Sequence, residues 1–355
     1  MDLKDFFGQR LKNARIMRGL SMEGLAMRAH QVVSKQTISK YEMGKMLPSS
    51  AVLIALANAL EVSVDYLVRP FSISLDHIEF RKKARQGAKS TAAIKEIVRD
   101  KVERYLEIEN ILSITTSYSY SLGEMTIKSE GDVVAAANRV KRDWQLGNDG
   151  ITNVIAMLEA HQIKVIELDD APSSFDGLSG FADHDKPIIV LNGGGAYTAE
   201  RKRLTALHEL GHIVMNFDPA LTDKQREQMC NLFASEMLIS KEIFTEILGD
   251  HRHDISLNEM RDIQRNFGIS IDALMYKARH LGIISEPRYR YYCMMKNQKP
   301  DFKRQIQESH YALEKSDRFQ RLVYRALACD LISFSKAAAL LEVTIEDVRE
   351  QIDLL

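Results

Sequence analysis

Cysteine is scarce in this chain: there are three, Cys230, Cys293 and Cys329, far apart and odd in number. They make no CxxC pair and no disulfide framework, which fits a reducing compartment. Long apolar runs are also missing. Nothing approaches the roughly 20 residues a membrane span needs, and the first residues, MDLKDFFGQR, are charged where a signal peptide would be apolar. A cytoplasmic protein with no membrane partner is expected. An excess of one charge is lacking too. Lys and Arg number 48 against 49 Asp and Glu, a net of −1, so the chain is not basic throughout and any nucleic-acid contact must be local. There is no internal repeat, no low-complexity tract and no Gly-x-Ser-x-Gly. The run Asn192-Gly193-Gly194-Gly195 lacks the Lys-Ser/Thr of a phosphate-binding loop and reads as a turn.

What is present is ordinary globular material, 45% hydrophobic and 27% charged over 355 residues, long enough for two or three domains. Residues 1–68 read as short helices, with Phe7, Leu11, Ala14, Leu20, Leu25, Ile38, Leu53, Leu56, Leu60 and Leu67 at helical spacing. Ser21 is placed to cap Met22–Ala29. Ser34 is placed to cap Gln36–Met43, and Gly44 stops that helix. Pro48-Ser49-Ser50 opens another, Ala51–Leu60. Residues 69–129 read as a linker with the basic run Phe80-Arg81-Lys82-Lys83-Ala84-Arg85, then a helix from about Thr91 with a stripe from Ile94 to Leu112. A helix over about Asp132–Leu146 and another from 150 to about Ala160 lead into three strand-like runs, Ile163–Leu168, Gly177–Phe181 and Pro187–Leu191. Helical periodicity then persists to the end, with Ser335–Leu341 the clearest helix of the tail. The expected fold is mostly α with a small β-sheet (α+β).

The chemical signal is His208-Glu209-Leu210-Gly211-His212. On a helix, residues four apart share a face, so the two imidazoles can converge on one metal ion. Zinc suits two imidazoles plus a carboxylate and keeps a fourth position for water. Glu209, about 100° around the helix, is placed to act on that water as general base and then proton donor. The surrounding Leu204, Leu207, Leu210, Ile213, Val214 and Met215 predict a buried helix, where these polar groups need partners. Two glutamates compete for the third ligand. Glu227 lies on the stripe of the predicted helix Lys224–Ile239, with Cys230, Ala234, Met237 and Leu238. Glu236 is its rival, and Asp218 and Asp223 fall in a predicted loop. The remaining histidines show no ligand spacing, and His251 and His253 read as a solvated turn.

The nucleic-acid signal lies near the N-terminus. Over residues 1–70, ten Lys and Arg stand against six Asp and Glu, a local net of +4. A candidate recognition helix begins Ser34-Lys35-Gln36-Thr37. Gln36 suits adenine, Lys35 guanine and Thr37 a thymine methyl, while Ser39, Lys40 and Lys45 suit phosphate oxygens.

On Arg10-Leu11, Ala14-Arg15, Arg18-Gly19-Leu20-Ser21, Leu25-Ala26, Ile38-Ser39-Lys40-Tyr41-Glu42, Gly44-Lys45, Pro48 and Asp65-Tyr66-Leu67, residues 1–68 resemble the Cro/C1-type (XRE) helix-turn-helix domain. Met22 stands where that family usually has glutamine. Residues 130–285 resemble the ImmA/IrrE family of zinc metallopeptidases, a zincin-like fold. The likeness rests on Pro187–Asn192, Arg203–His212, Glu227, Cys230-Asn231, Phe233–Leu238 and Gly268-Ile269-Ser270. Ser240 and Phe267 replace a common proline and a common tyrosine. Residues 286–355 look like the helical C-terminal tail often found after such domains.

The second resemblance implies a Zn2+ cofactor, with Glu227 rather than Glu236 as third ligand beside His208 and His212, and Glu209 as catalytic base. Together the two imply a homodimer on a double-stranded DNA operator, and a peptidase cutting one protein, a repressor, in a stress or mobile-element response. The alternative is a transcription factor or antitoxin, paired with a toxin, whose zinc site is structural or sensory.

Overall fold

The computed structural model of the chain describes residues 3–69, 88–114, 118, 120, 122–123, 125–194, 198–309 and 311–353. The predicted linker, with its basic run at 80–85, lies outside them apart from its two ends, as does Gly195 of the glycine turn. Among the described residues there are eighteen helices and five short strands, in keeping with a mostly α chain carrying a small sheet. None of these helices is long and apolar enough to cross a membrane. Two compact units emerge. One comprises Met1–Thr116, Phe181–His184 and Asp317–Leu355, and the other Ser117–Gly180 and Asp185–Ser316.

The first unit begins with α1 (Leu3–Met17), α2 (Met22–Arg28), α3 (Lys35–Glu42), α4 (Ser50–Leu60) and α5 (Val64–Val68), followed by α6 (Ala88–Ile111). Their starts are set by hydroxyl caps. Ser21, Ser34 and Ser63 each accept a main-chain N–H of the first turn, which satisfies a donor the helix itself leaves unpaired. Gly44, at φ +68°, ends the turn after α3. Phe7, Leu11, Leu25, Ile38, Leu56, Leu60 and Leu67 form the core, each at most 1% exposed; burial stabilises by roughly 1.5–3 kcal/mol per such side chain.

The second unit contains β1 (Thr126–Ile127), α7 (Glu130–Asp143), α8 (Val154–Ala160), β2 (Lys164–Leu168), the first four residues of β3 (Gly177–Ala182) and β4 (Lys186–Asn192). It continues with α9 (Ala199–Val214), β5 (Asn216–Phe217), α10 (Asp223–Leu238), α11 (Lys241–Leu248), α12 (Leu257–Phe267), α13 (Ile271–His280), α14 (Glu286–Gln298) and α15 (Pro300–Gln307). The three-stranded sheet has the order β2-β4-β3, with β2 and β4 parallel. The sequence pattern missed a second pairing, β1 with β5, because two residues per strand show no period. Two helix starts also differ from expectation. A capping box of Ser129 and Asp132 moves the start of α7 to Glu130. The helix expected from 150 begins only at Val154, because Asn153 caps it and Gly150 sits against the Asn266 carbonyl, where a Cβ would come within 2.0 Å.

The chain then returns to the first unit with α16 (Arg318–Ala328), α17 (Phe334–Leu341) and α18 (Ile345–Asp353). Leu322, Val323, Ala326, Ala337 and Leu340 bury against Tyr105 and Ile108 of α6. Helix α6 also meets α1 through the buried ion pair Arg10–Glu103, 2.5 Å long.

Candidate metal centre and DNA-facing helix

The centre is assembled where α9 and α10 pack on each other. Helix α9 starts at a Thr198 cap, which accepts the Arg201 N–H at 3.3 Å. Its first turns are fastened from behind. Arg203, fully buried, donates to Glu314 and to the carbonyl of Ile151 at 2.6 Å, while Lys202 pairs with Glu167 at 2.6 Å. Leu207 and Leu210 face the core at 0% exposure. Gly211 sets the distance to α10: a Cβ there would stand 3.2 Å from the Phe233 ring and 3.4 Å from Cys230 Sγ. Helix α10 starts at a capping box of Thr222 and Gln225.

His208 and His212 turn their Nε2 atoms toward each other at 3.2 Å. The Glu227 carboxylate closes the triangle, one oxygen 3.2 Å from His208 Nε2 and the other 3.3 Å from His212 Nε2. Three donors bound tetrahedrally to zinc at about 2.0–2.1 Å are separated from one another by about 3.3–3.4 Å. The residues present therefore fit a zinc ion. Glu227 is 41% exposed and the imidazoles 13% and 6%, so solvent reaches this triangle from the glutamate side.

The outward ring atoms are also engaged. His208 Nδ1 lies 2.9 Å from Asn231 Oδ1, an acceptor, which assigns it the proton. His212 Nδ1 lies 3.1 Å from the buried Cys230 Sγ. Hydrogen bonds from His208 and then His212 hold the Glu227 carboxyl far below the usual carboxylate range, against the effect of burial. Burial pushes His208 down, but Glu227, Glu209 and Asn231 together outweigh it and leave the imidazole raised. The arrangement is a carboxylate shared between two imidazoles.

Glu209 is buried at 6% exposure and accepts a 2.7 Å hydrogen bond from Ser179 Oγ of β3. Glu236 takes no part in the triangle. It is 2% exposed, paired with Lys277 Nζ at 2.5 Å, and accepts the Lys241 N–H at 2.9 Å. Asp218 and Asp223 bind neither imidazole in any described contact. His251 and His253 are exposed. Ser240, at the position where proline is common, caps α11 through the Ile243 N–H. Phe267 is buried in the core of this unit.

Ser179, Cys230 and Asn231 were absent from the sequence-derived site. A usable signal existed for two of them. Residues 227, 230 and 231 are spaced i, i+3, i+4, so they share a face of α10. Ser179 had none, since it arrives from a strand remote in sequence.

In the first unit, Ser34, Lys35, Gln36, Lys40 and Lys45 are exposed on or beside α3, and Thr37 and Ser39 are half-buried. The Ser34 hydroxyl caps the helix at Thr37 N and also lies 3.0 Å from the Thr37 hydroxyl. Lys35 Nζ lies 3.9 Å from Glu23. Arg15 braces the end of α3 by a two-pronged pair with Glu42, at 2.6 and 2.8 Å. Met22, at the family's glutamine position, packs partly against the core.

Comparison with known proteins matches residues 11–67 to the helix-turn-helix family model and residues 158–279 to the IrrE N-terminal-like domain, a peptidase family. The chain therefore joins a Cro/C1-type helix-turn-helix domain to an IrrE/ImmA-like domain. No curated protein matches it. Among solved structures, the apo form of ComR from S. thermophilus aligns with 99% of this chain and 88% of its own, at 14% identity and a TM-score of 0.18.

Proposed function

We propose, from the presence of these two domains in one chain, a DNA-binding regulator whose second unit is a zinc-dependent endopeptidase acting on one protein partner of the repressor type. The observation that carries this reading is the triangle of His208 Nε2, His212 Nε2 and the Glu227 carboxylate, with edges of 3.2, 3.2 and 3.3 Å. Three protein donors with a solvent-facing side match a catalytic rather than a closed structural zinc site. Zinc, when bound, acidifies water and polarises a carbonyl. The protein's own contribution is to hold a base and to orient the reactants. Glu209 is fixed by Ser179 through one carboxylate oxygen, which leaves the other to take a proton from water and return it to the leaving amine. β3 is an edge strand of its sheet, so an extended segment of the partner can lie along it by main-chain pairing. In the first unit, Gln36 and Lys35 read base edges while Ser39, Lys40 and Lys45 contact phosphates. Two copies of the chain would address the two half-sites of an operator.

The test is Glu209→Gln, assayed against any repressor-type or toxin-type protein found to be encoded beside this chain. The variant is expected to keep one zinc per chain and to cut at least about a hundredfold more slowly, the usual scale of a lost general base. Undiminished cutting by the variant sinks the mechanism. If the wild type binds zinc and operator DNA but cuts no such neighbour, a structural or sensory zinc site replaces it.

A further inference from the structure

The second contact of each imidazole with α10 carries information beyond the metal triangle. An imidazole has two nitrogens facing away from each other. A neutral ring that gives Nε2 to a metal carries its proton on Nδ1 and needs an acceptor there to fix its tautomer and orientation. His208 has Asn231 Oδ1 at 2.9 Å. His212 has Cys230 Sγ at 3.1 Å, a thiol at 0% exposure held in place by the close approach of α10 to Gly211.

The donor atoms of His208, His212 and Cys230 lie within 4.8 Å of one another, so the thiol is a rival to Glu227 as ligand. Ring geometry decides between them. Cys230 Sγ faces Nδ1 of His212, whereas His208 and Glu227 face Nε2. A single ion on Nε2 cannot also reach a sulfur on the far side of the same ring.

We propose that Cys230 is a positioning residue for His212 and not a ligand. Its sulfur accepts the Nδ1–H of the ring, orients Nε2 toward His208 and Glu227, and leaves the fourth metal position to water. The inference rests on the zinc-centre reading given above, and its test separates the two.

The experiment uses the full chain as wild type, Cys230→Ala and Cys230→Ser. Zinc affinity is measured by competition with a chromogenic chelator, the absorption spectrum is recorded after cobalt substitution, and thermal unfolding is followed without metal. Wild type is expected to bind one metal per chain, with no sulfur-to-cobalt charge-transfer band in the near ultraviolet. Cys230→Ala should bind zinc about 10–100-fold more weakly, the usual cost of losing an outer-shell partner. Cys230→Ser, whose hydroxyl restores an acceptor, should recover most of that loss. The metal-free alanine and serine variants should unfold at similar temperatures, so packing does not account for the difference. A strong charge-transfer band in wild type, absent from Cys230→Ala, makes the thiol a ligand and overturns the proposal. Equal zinc affinity in wild type and Cys230→Ala overturns it as well. A folded wild type that takes up no metal removes the zinc reading itself, and this inference with it.

Discussion

The two ends of α10 carry two glutamates that sequence spacing alone did not separate. Glu227, in the N-terminal half, is 41% exposed and faces two imidazoles. Glu236, in the C-terminal half, is 2% exposed and closes on Lys277 at 2.5 Å. One carboxylate stands at an open site and the other is sealed in a structural ion pair. A buried glutamate was the more suspicious residue by the usual argument that buried charge signals function. Here the sealed one has a complete set of partners, with Lys277 also donating to the Ile239 carbonyl at 2.7 Å. The difference teaches that burial by itself does not mark a site. In the zinc-centre reading proposed above, a partner set with a side left open to solvent does.

Removing Glu236 should have the largest effect on folding. Glu236→Ala leaves Lys277 buried without its counter-charge and frees the Lys241 N–H, a loss of about 3–5 kcal/mol. The full chain should unfold at lower denaturant while the metal-free triangle residues remain intact. A midpoint unchanged from wild type breaks the comparison at this end.

Lys141 of α7 sharpens the same end. Burial pushes its amine down to about 8, with Glu236 opposing and Lys277 adding to the shift. The folded value is depressed, so between about 8 and the ordinary lysine value of about 10.4 the unfolded chain binds more protons, and stability rises with pH. Lys141→Met should flatten that slope and add up to about 3 kcal/mol at pH 7. Parallel curves for wild type and variant from pH 7 to 10.5 exclude this account.

Glu227→Ala should behave in the opposite way to Glu236→Ala. Zinc affinity falls at least about a hundredfold, on the order of 3 kcal/mol, while metal-free stability falls by less than in Glu236→Ala, because the half-exposed Glu227 loses only its solvent-screened hydrogen bonds to the two imidazoles. Chelator competition beside a denaturation curve reads both quantities. A Glu227→Ala chain that keeps its zinc would return the third-ligand role to another group. The smallest effect is expected at the cap of the helix. Thr222→Ala removes half of the capping box with Gln225 and costs about 1 kcal/mol, with zinc stoichiometry unchanged; a shift in metal affinity larger than in stability would count against a purely local cap.

Much of the fold was legible because its causes are local. Ser21 and Ser34 cap the helices that follow them because a hydroxyl before a periodic run has an N–H to satisfy. Strands β2 and β4 appeared as short apolar runs because both are buried along almost their whole lengths. The pair β1 and β5 was not legible: two residues carry no period, and their partners lie far apart in the chain. Within the site, His208 and His212 could be paired from spacing, since one helix fixes both. Ser179 with Glu209 and Arg203 with Glu314 could not be paired in this way.

By itself the sequence determined which residues share a face: His208 with His212 on α9, and Glu227 with Cys230 and Asn231 on α10. Helical geometry sets those relations within a few residues, whatever the rest of the chain does. Only the tertiary structure decided which face meets which. It set Glu227 against the two imidazoles, gave Glu236 to Lys277, and placed a thiol behind His212. Such pairings depend on how whole helices bury their apolar stripes and on residues as small as Gly211 at the crossing. No spacing within a single segment encodes that choice.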